Sequence, residues 1–449
     1  GLFYPKQSSE LCLQKHQAMK IKIFKFQFFA GVTIFSLFSG ISVYAQSPNE
    51  TDSLQTEEIS QDNRIKINGY LRAGIFGGEK EIRNYYGEGA LKLEVPIGIS
   101  ASAFSEVRYR ADGNNNHKFD IREAYVNLNL GKFDFRVGEQ IVLWGRADGF
   151  NPTNNVTPQD FCVFSPEEDD KRLGNFVVKG VFNPYPFRIE VDWIPVYKSS
   201  LFPFIGKPMG DGIVWNNEKR PYRWKNQSFG VKIDLEKPSF DLSLSYYNGL
   251  HKFPGIAYEK TPSEILLSQE PYRVHVVGMD FSTSLGNYGL RGEFACSLPD
   301  KGNNPIYSVP NKQMEYTIGI DRSLDNFSLI VQYIGKYIPD LETAIKGNPI
   351  VQKLNSLNRI VFTQHERWNH SVSVRPALSL LHETLNVELL GLCQFSTKEY
   401  FFQPKIRYAI ADAVTLTVGG QLFYGPDDRL FGILEKTKNS VFTELKVSF

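Results

Sequence analysis

The sequence predicts an all-β protein: a transmembrane antiparallel β-barrel of about 18 strands (16 to 18), with both termini on the periplasmic side of an outer membrane. Three observations lead there. Residues 440–449, SVFTELKVSF, alternate apolar and polar positions and finish on an aromatic. Val441, Leu445, Val447 and Phe449 thereby share a lipid face as the barrel-closing strand, while Glu444, Lys446 and Ser448 share a wet one. The same period of two recurs along most of the chain, and an export signal stands at its other end.

Taken in chain order, the signal comes first. Lys20, Lys22 and Lys25 precede an uncharged apolar run from Phe26 to Val43 that closes on Tyr44 and Ala45. A basic region, an apolar stretch and a small residue at the cut make a Sec signal peptide over residues 19–45, cleaved after Ala45. A membrane anchor is the alternative, and the cleavage site argues against it. Residues 1–18 lie upstream of a more plausible start at Met19 and read as an extension. Residues 46–63 are polar and acidic, a flexible periplasmic lead-in too short to be a globular plug. Residues 64–449 remain for the barrel.

Composition agrees. Lys plus Arg number 50 against 49 Asp plus Glu, so no single strong field points to nucleic acid. Aromatics make up 14% of the chain, and no second apolar segment is long enough to cross a bilayer as a helix. Cys162, Cys296 and Cys393 follow the cleavage site at wide spacing, which is neither a disulfide framework nor a zinc pattern. A bridge from Cys162 to either partner is the less expected state, and no metal or cofactor is predicted.

Strand punctuation supplies the architecture. Short turns are expected at 96–98, 131–132, 183–186, 237–239, 285–287, 324–326, 381–383 and 411–413, each rich in residues that favour tight reversals. Longer polar stretches lie between them, at 77–87, 112–118, 145–173, 198–226, 250–271, 299–312, 338–367, 396–399 and 425–439. Phe240, Leu242, Leu244 and Tyr246 alternate with Asp241, Ser243 and Ser245. Phe187, Ile189, Val191 and Trp193 alternate with Arg188, Glu190 and Asp192. Charges therefore line the inside of a wall wide enough to hold water. A soluble β-sandwich also alternates, but this length without domain punctuation does not suit one.

The densest unusual stretch is residues 122–161, REAYVNLNLGKFDFRVGEQIVLWGRADGFNPTNNVTPQDF. It resembles a hairpin of outer-membrane barrels of the DUF1302 and porin-like type, in which a strand reading roughly LRVGRQ leads into WG and a loop carrying Asp and Asn-Pro. The resemblance covers about forty residues and implies location and architecture rather than an activity. The Ala45–Gln46 junction is similar to export signals of Bacteroidetes.

Physically, Gly138 and Gly145 admit close neighbours, while Gln140, Trp144, Arg146 and Asp148 stand where a strand turns into a loop. That loop, 145–173, is long enough to fold back into the lumen. It would then set Asp148, Asn151, Asn154 and the acidic run Glu167 to Asp170 against Arg108, Arg110, Arg122 and Arg136 on neighbouring walls. The candidate site is therefore Arg108, Arg110, Arg122, Glu123, Arg136, Gln140, Trp144, Arg146, Asp148 and Asn151. Two readings stand: these groups brace the strand-to-loop corner, or they narrow and filter a pore. The acidic run lacks the spacing of a Ca²⁺ loop, and a solvated loop tip is expected there. Ser371 and Ser373 near His365, His370 and His382 offer no third residue for a hydrolase.

The expected function is an outer-membrane channel for passive, selective diffusion of small polar solutes. Its partners would be membrane lipid, the barrel-assembly machinery through the last strand, and the solute, without nucleic acid. A trimer is compatible and not required. Uptake of hydrophobic compounds, suggested by Trp215, Tyr222 and Trp224, is one alternative. A closed barrel with a surface role, using the loops 198–226 and 338–367, is another, and a lipid hydrolase is the least favoured.

Overall fold

The computed structural model describes residues 64–113, 116–206, 213–216, 226–341 and 347–449. The expected extension, signal peptide and lead-in, with Tyr222 and Trp224, lie outside the described residues.

The first seven strands are β1 (Lys66–Gly77), β2 (Ile82–Ile97), β3 (Ala101–Asp112), β4 (His117–Leu130), β5 (Phe133–Gln140), β6 (Asn175–Phe182) and β7 (Phe187–Ile194). After β8 (Ile213–Trp215) come β9 (Ser228–Lys237) and β10 (Phe240–Leu250), then β11 (Gly255–Lys260) and β12 (Ile265–Glu270). The wall resumes with β13 (Arg273–Leu285), β14 (Tyr288–Asp300), β15 (Gln313–Leu324), β16 (Phe327–Tyr337) and β17 (Trp368–Leu380). It ends with β18 (Leu385–Gln394), β19 (Glu399–Ala411), β20 (Val414–Tyr424) and β21 (Ser440–Ser448). Strands β8, β11 and β12 make a separate three-stranded sheet.

The other strands form one 18-stranded antiparallel sheet in which each pairs with the next. The ring closes where β21 runs along β1, with Tyr70 opposite Ser448 and Gly77 opposite Val441. Gly69 N–H donates to the Phe449 carbonyl at 2.9 Å and Phe449 N–H to that of Gly69 at 3.0 Å, so the wall has no open edge. The expected short turns all join strands at the rim that carries both ends of the wall, and the described parts of the expected long stretches lie at the other.

Alternation decides which face is which. On β1, Ile67, Leu71 and Ile75 are exposed on the outward face, while Tyr70, Arg72 and Phe76 are buried inside. Val441 and Leu445 likewise face outward on β21, with Phe442 and Glu444 inside. Glu190, Asp192, Asp234, Asp280 and Glu293 are buried in the interior. A sandwich would do the reverse, hiding the apolar face and exposing the charges. The outward apolar band and charged interior are those of a transmembrane barrel.

At the long-loop rim, two helices and the small sheet fold over the mouth. Helix α1 (Pro349–Phe362) starts at Asn348, whose side chain accepts from Val351 N–H at 2.9 Å. Phe202, Trp215, Ile256, Tyr272, Leu354 and Phe362 pack there in one cluster with Val142 and Trp144. Trp215 is thus part of a core and not of an exposed aromatic loop. On the far side, helix α2 (Leu430–Lys438) sets Phe431 and Leu434 against Leu390, Leu392 and Phe401 of the inner wall.

Candidate functional site

The segment 141–174, between β5 and β6, leaves the wall and crosses the lumen. Alternation carries on past β5, with Leu143 exposed outward and Val142 and Trp144 buried. Trp144 donates its indole N–H to Glu190 on β7 at 3.0 Å. Its ring lies over Gly230, where an added Cβ would come within 2.5 Å.

Gly145 then turns the chain inward at φ +93°, and a Cβ there would meet the Glu293 carboxylate at 2.4 Å. Glu293, on β14, is 4% exposed and gathers the turn. It accepts from the backbone N–H of Arg146 and Ala147 at 2.6 Å each, from that of Thr153 at 3.3 Å, and from the Thr153 hydroxyl at 2.8 Å. Next along the wall, the Thr317 hydroxyl donates to the Phe150 carbonyl at 3.3 Å. With its amide oriented to satisfy both atoms, Gln332 brackets the backbone of Asp148 at 2.8 and 2.7 Å. The Arg375 guanidinium lies 3.0 Å from the Asp148 carboxylate as a close ion pair. The loop tip is thus tied to β14, β15, β16 and β17. Gly145→Ala combines left-handed strain with a collision against Glu293. Thermal or urea unfolding should show a loss of at least about 1–3 kcal/mol.

The returning limb is held through the acidic run. Glu167 meets Arg407 at 2.6 Å, Glu168 meets Arg375 at 3.1 Å and Asp169 meets Arg172 at 2.7 Å. Asp170 sits 2.7 Å from both Arg72 on β1 and Arg108 on β3 and 3.6 Å from Arg122 on β4. Arg72 also contacts Glu88 at 2.6 Å and Glu444 at 3.5 Å, while Arg110 contacts Glu88 at 3.1 Å and stacks over the Tyr86 ring at 3.6 Å. An open pocket lies here, and cations outnumber carboxylates along its lining.

Burial opposes ionisation of Asp170. The guanidiniums of Arg72 and Arg108 and the Ser165 hydroxyl outweigh it and hold its carboxyl well below the usual carboxylate range. For Asp148 burial wins, only partly offset by Arg375, and its carboxyl is raised. The depressed Asp170 therefore adds stability that is complete above its unfolded pKa and is lost only as pH falls through its lower folded one. The unfolding-stability gap between wild type and Asp170→Asn should persist from neutral pH down to about pH 4 and shrink below it. A gap already gone at about pH 5 would contradict this.

Of the residues singled out in the sequence, Arg108, Arg110 and Arg122 gather at this pocket, where Arg122 also donates to the Asp169 carbonyl at 2.8 Å. Arg146 spans to Asp280 at 3.2 Å and Asp234 at 3.4 Å. Glu123 accepts from Ile141 N–H at 2.9 Å, bracing the corner. Three do not join. Arg136 instead bonds Asn127 at 2.7 Å and stacks on Tyr125, because its partner strand and not the loop lies within reach. Gln140 is fully buried and donates to the Val177 carbonyl at 2.9 Å. Asn151 contributes a carbonyl to the turn, accepting from Asn154 N–H at 3.2 Å.

Asp148 faces Arg375 and not the Arg108 side. The acidic run is not solvated throughout: Glu167, Glu168 and Asp170 pair with arginines of the wall, while Asp169 stays exposed beside Arg172 of the same loop. His370 lies on the outward face of β17 while Ser371 and Ser373 are buried inside, so strand geometry separates them. Cys162, Cys296 and Cys393 are free thiols. Arg72, Glu293, Gln332, Arg375 and Arg407 were missed; their only sequence signal is a polar residue at an inward position.

The chain resembles several solved barrels. OccK5 (OpdH) of Pseudomonas aeruginosa shares 12% identity over 86% of this chain and 97% of its own, with TM-score 0.52. OccK2 (OpdF) of Pseudomonas aeruginosa, solved in complex with glucuronate, shares 8% over 86% and 97%, with TM-score 0.53. The fold is a porin-type barrel. A BenF-like porin from Pseudomonas fluorescens Pf-5 adds a third likeness, at 8% identity over 86% and 98%, with TM-score 0.51. No protein-family model and no curated protein matches the sequence.

Proposed function

We propose that this barrel is an outer-membrane channel through which small polar solutes diffuse passively, with the segment 141–174 as its constriction. The single observation that carries the reading is that this segment crosses a lumen of water-holding width and is held by ion pairs to β1 and β17 and by hydrogen bonds to β14 and β15. Solute would enter at the long-loop rim, pass the narrowed zone beside Arg72, Arg108 and Arg122, and leave at the short-turn, periplasmic rim. The cation-rich pocket favours solutes bearing negative charge, and the likeness to a barrel solved with glucuronate is in keeping with that. The resemblance of residues 122–161 to DUF1302-type barrels supports the same location.

A liposome-swelling series tests it. Vesicles holding the refolded protein should admit small sugars and sugar acids, with rates falling steeply as solute size grows. Vesicles that swell no faster than protein-free ones would reject a diffusion channel.

A further inference from the structure

Three pairs of side chains on the outward face repeat one geometry. Tyr109 on β3 bonds Nδ1 of His117 on β4 at 2.8 Å, Tyr246 on β10 bonds that of His275 on β13 at 2.7 Å, and Tyr333 on β16 bonds that of His370 on β17 at 2.5 Å. Their ring centroids lie 6.2, 6.1 and 6.0 Å apart, with interplanar angles of 21°, 32° and 24°. The register is shared as well. Each Tyr stands directly opposite the residue two beyond its His, namely Phe119, Val277 and Val372. All three contacts are therefore the same cross-strand diagonal.

Their height is also the same. Each His falls within the first three residues of a strand descending from the long-loop rim. Beneath them on the same face stand exposed apolar residues: Phe119 and Ile121, Val277 and Met279, and Val374. The pairs thus mark the level where the apolar band ends. In the ring, other strands separate the three pairs on every side. No single protein partner can meet all of them, whereas the lipid layer around the barrel meets every one.

The chemistry narrows what that layer supplies. If the Tyr hydroxyl donates to Nδ1, the neutral imidazole carries its proton on Nε2; if Nδ1 donates, the hydroxyl proton is the one left over. Either tautomer leaves one hydrogen-bond donor for the headgroup zone. Beside the second pair, Arg273 stands two residues above His275 on the same face, its guanidinium donating to the Asn248 side chain at 2.6 Å and to the Gln227 carbonyl at 2.9 Å. Phosphate is the strongest acceptor at that depth and an anion as well. We propose that the three Tyr–His pairs are binding sites for the phosphate of lipid headgroups in the leaflet at the long-loop rim.

The test needs no channel activity, so it stands apart from the diffusion reading. Folded protein in phosphate-free octyl glucoside is titrated with dioleoylphosphatidylglycerol and, separately, with digalactosyldiacylglycerol, and bound lipid is counted by native mass spectrometry. The expected result is preferential retention of the phosphate lipid, one per pair. The triple variant H117F/H275F/H370F keeps the rings and should lose phosphatidylglycerol affinity several-fold with the galactolipid unchanged. The single His→Phe variants should each remove one retained lipid, which keeps the question open to measurement if the triple variant fails to fold. Unchanged phosphatidylglycerol binding in the variants would overturn the proposal. So would equal losses of both lipids, which would make the pairs a general aromatic belt.

Discussion

Glu293→Ala should raise single-channel conductance several-fold while leaving the barrel folded. Glu293 collects three backbone N–H groups and a hydroxyl from the turn after Gly145. Charge-assisted bonds of this kind contribute about 1.5–3 kcal/mol each. Their loss leaves those N–H groups to water, which the lumen can provide. The tip would keep the ties from Thr317, Gln332 and Arg375 and those of Arg146 to Asp234 and Asp280, and its time-averaged position would move off β14. Glu293→Gln retains an acceptor but no charge and should fall between the two. Conductance equal to wild type in both variants would mean that the loop does not limit the current.

Asp170→Asn should have the second large effect, and on selectivity more than on size. The substitution takes one carboxylate from a cluster in which Arg72, Arg108 and Arg122 converge on it. Glu88, Glu106 and Glu444 still neutralise part of that charge. The passage beside β1 to β4 would nevertheless gain positive character, and the reversal potential in a KCl gradient should shift toward chloride. Removing one partner of a buried ion pair costs up to about 3–5 kcal/mol, and the remaining carboxylates put this variant below that range. Arg72→Ala removes the cation shared by Glu88, Glu444 and Asp170, so it should lose more stability than Asp170→Asn. A reversal potential unmoved by Asp170→Asn would place the ion path elsewhere.

Most of the wall was legible because a period of two is a local property. SVFTELKVSF needs no partner to announce which residues face lipid, and turn residues such as Asn183 with Pro184 mark reversals by their own backbone preferences. The corner at Trp144 and Gly145 was legible for the same reason. The partners of the loop were not. Glu293 lies far along the chain from Arg146, and nothing within β14 distinguishes it from any other inward acid. Asp148 was expected to meet the arginines nearest in sequence and instead crosses to Arg375, because a loop that spans the lumen ends at the opposite wall. Arg136 was misassigned for the converse reason: it is close in sequence, but Asn127 and Tyr125 on the adjacent strand already occupy it. The Tyr–His diagonals require register, which alternation alone does not supply.

The most direct measurement is single-channel recording from a barrel in which residues 146–170 are replaced by a short glycine-serine turn, beside wild type in the same planar bilayer. Wild type should conduct weakly, and the shortened barrel should pass a several-fold larger current with little preference between cation and anion. Equal currents from the two folded proteins would contradict a constriction at this loop, and silence from both would contradict a channel.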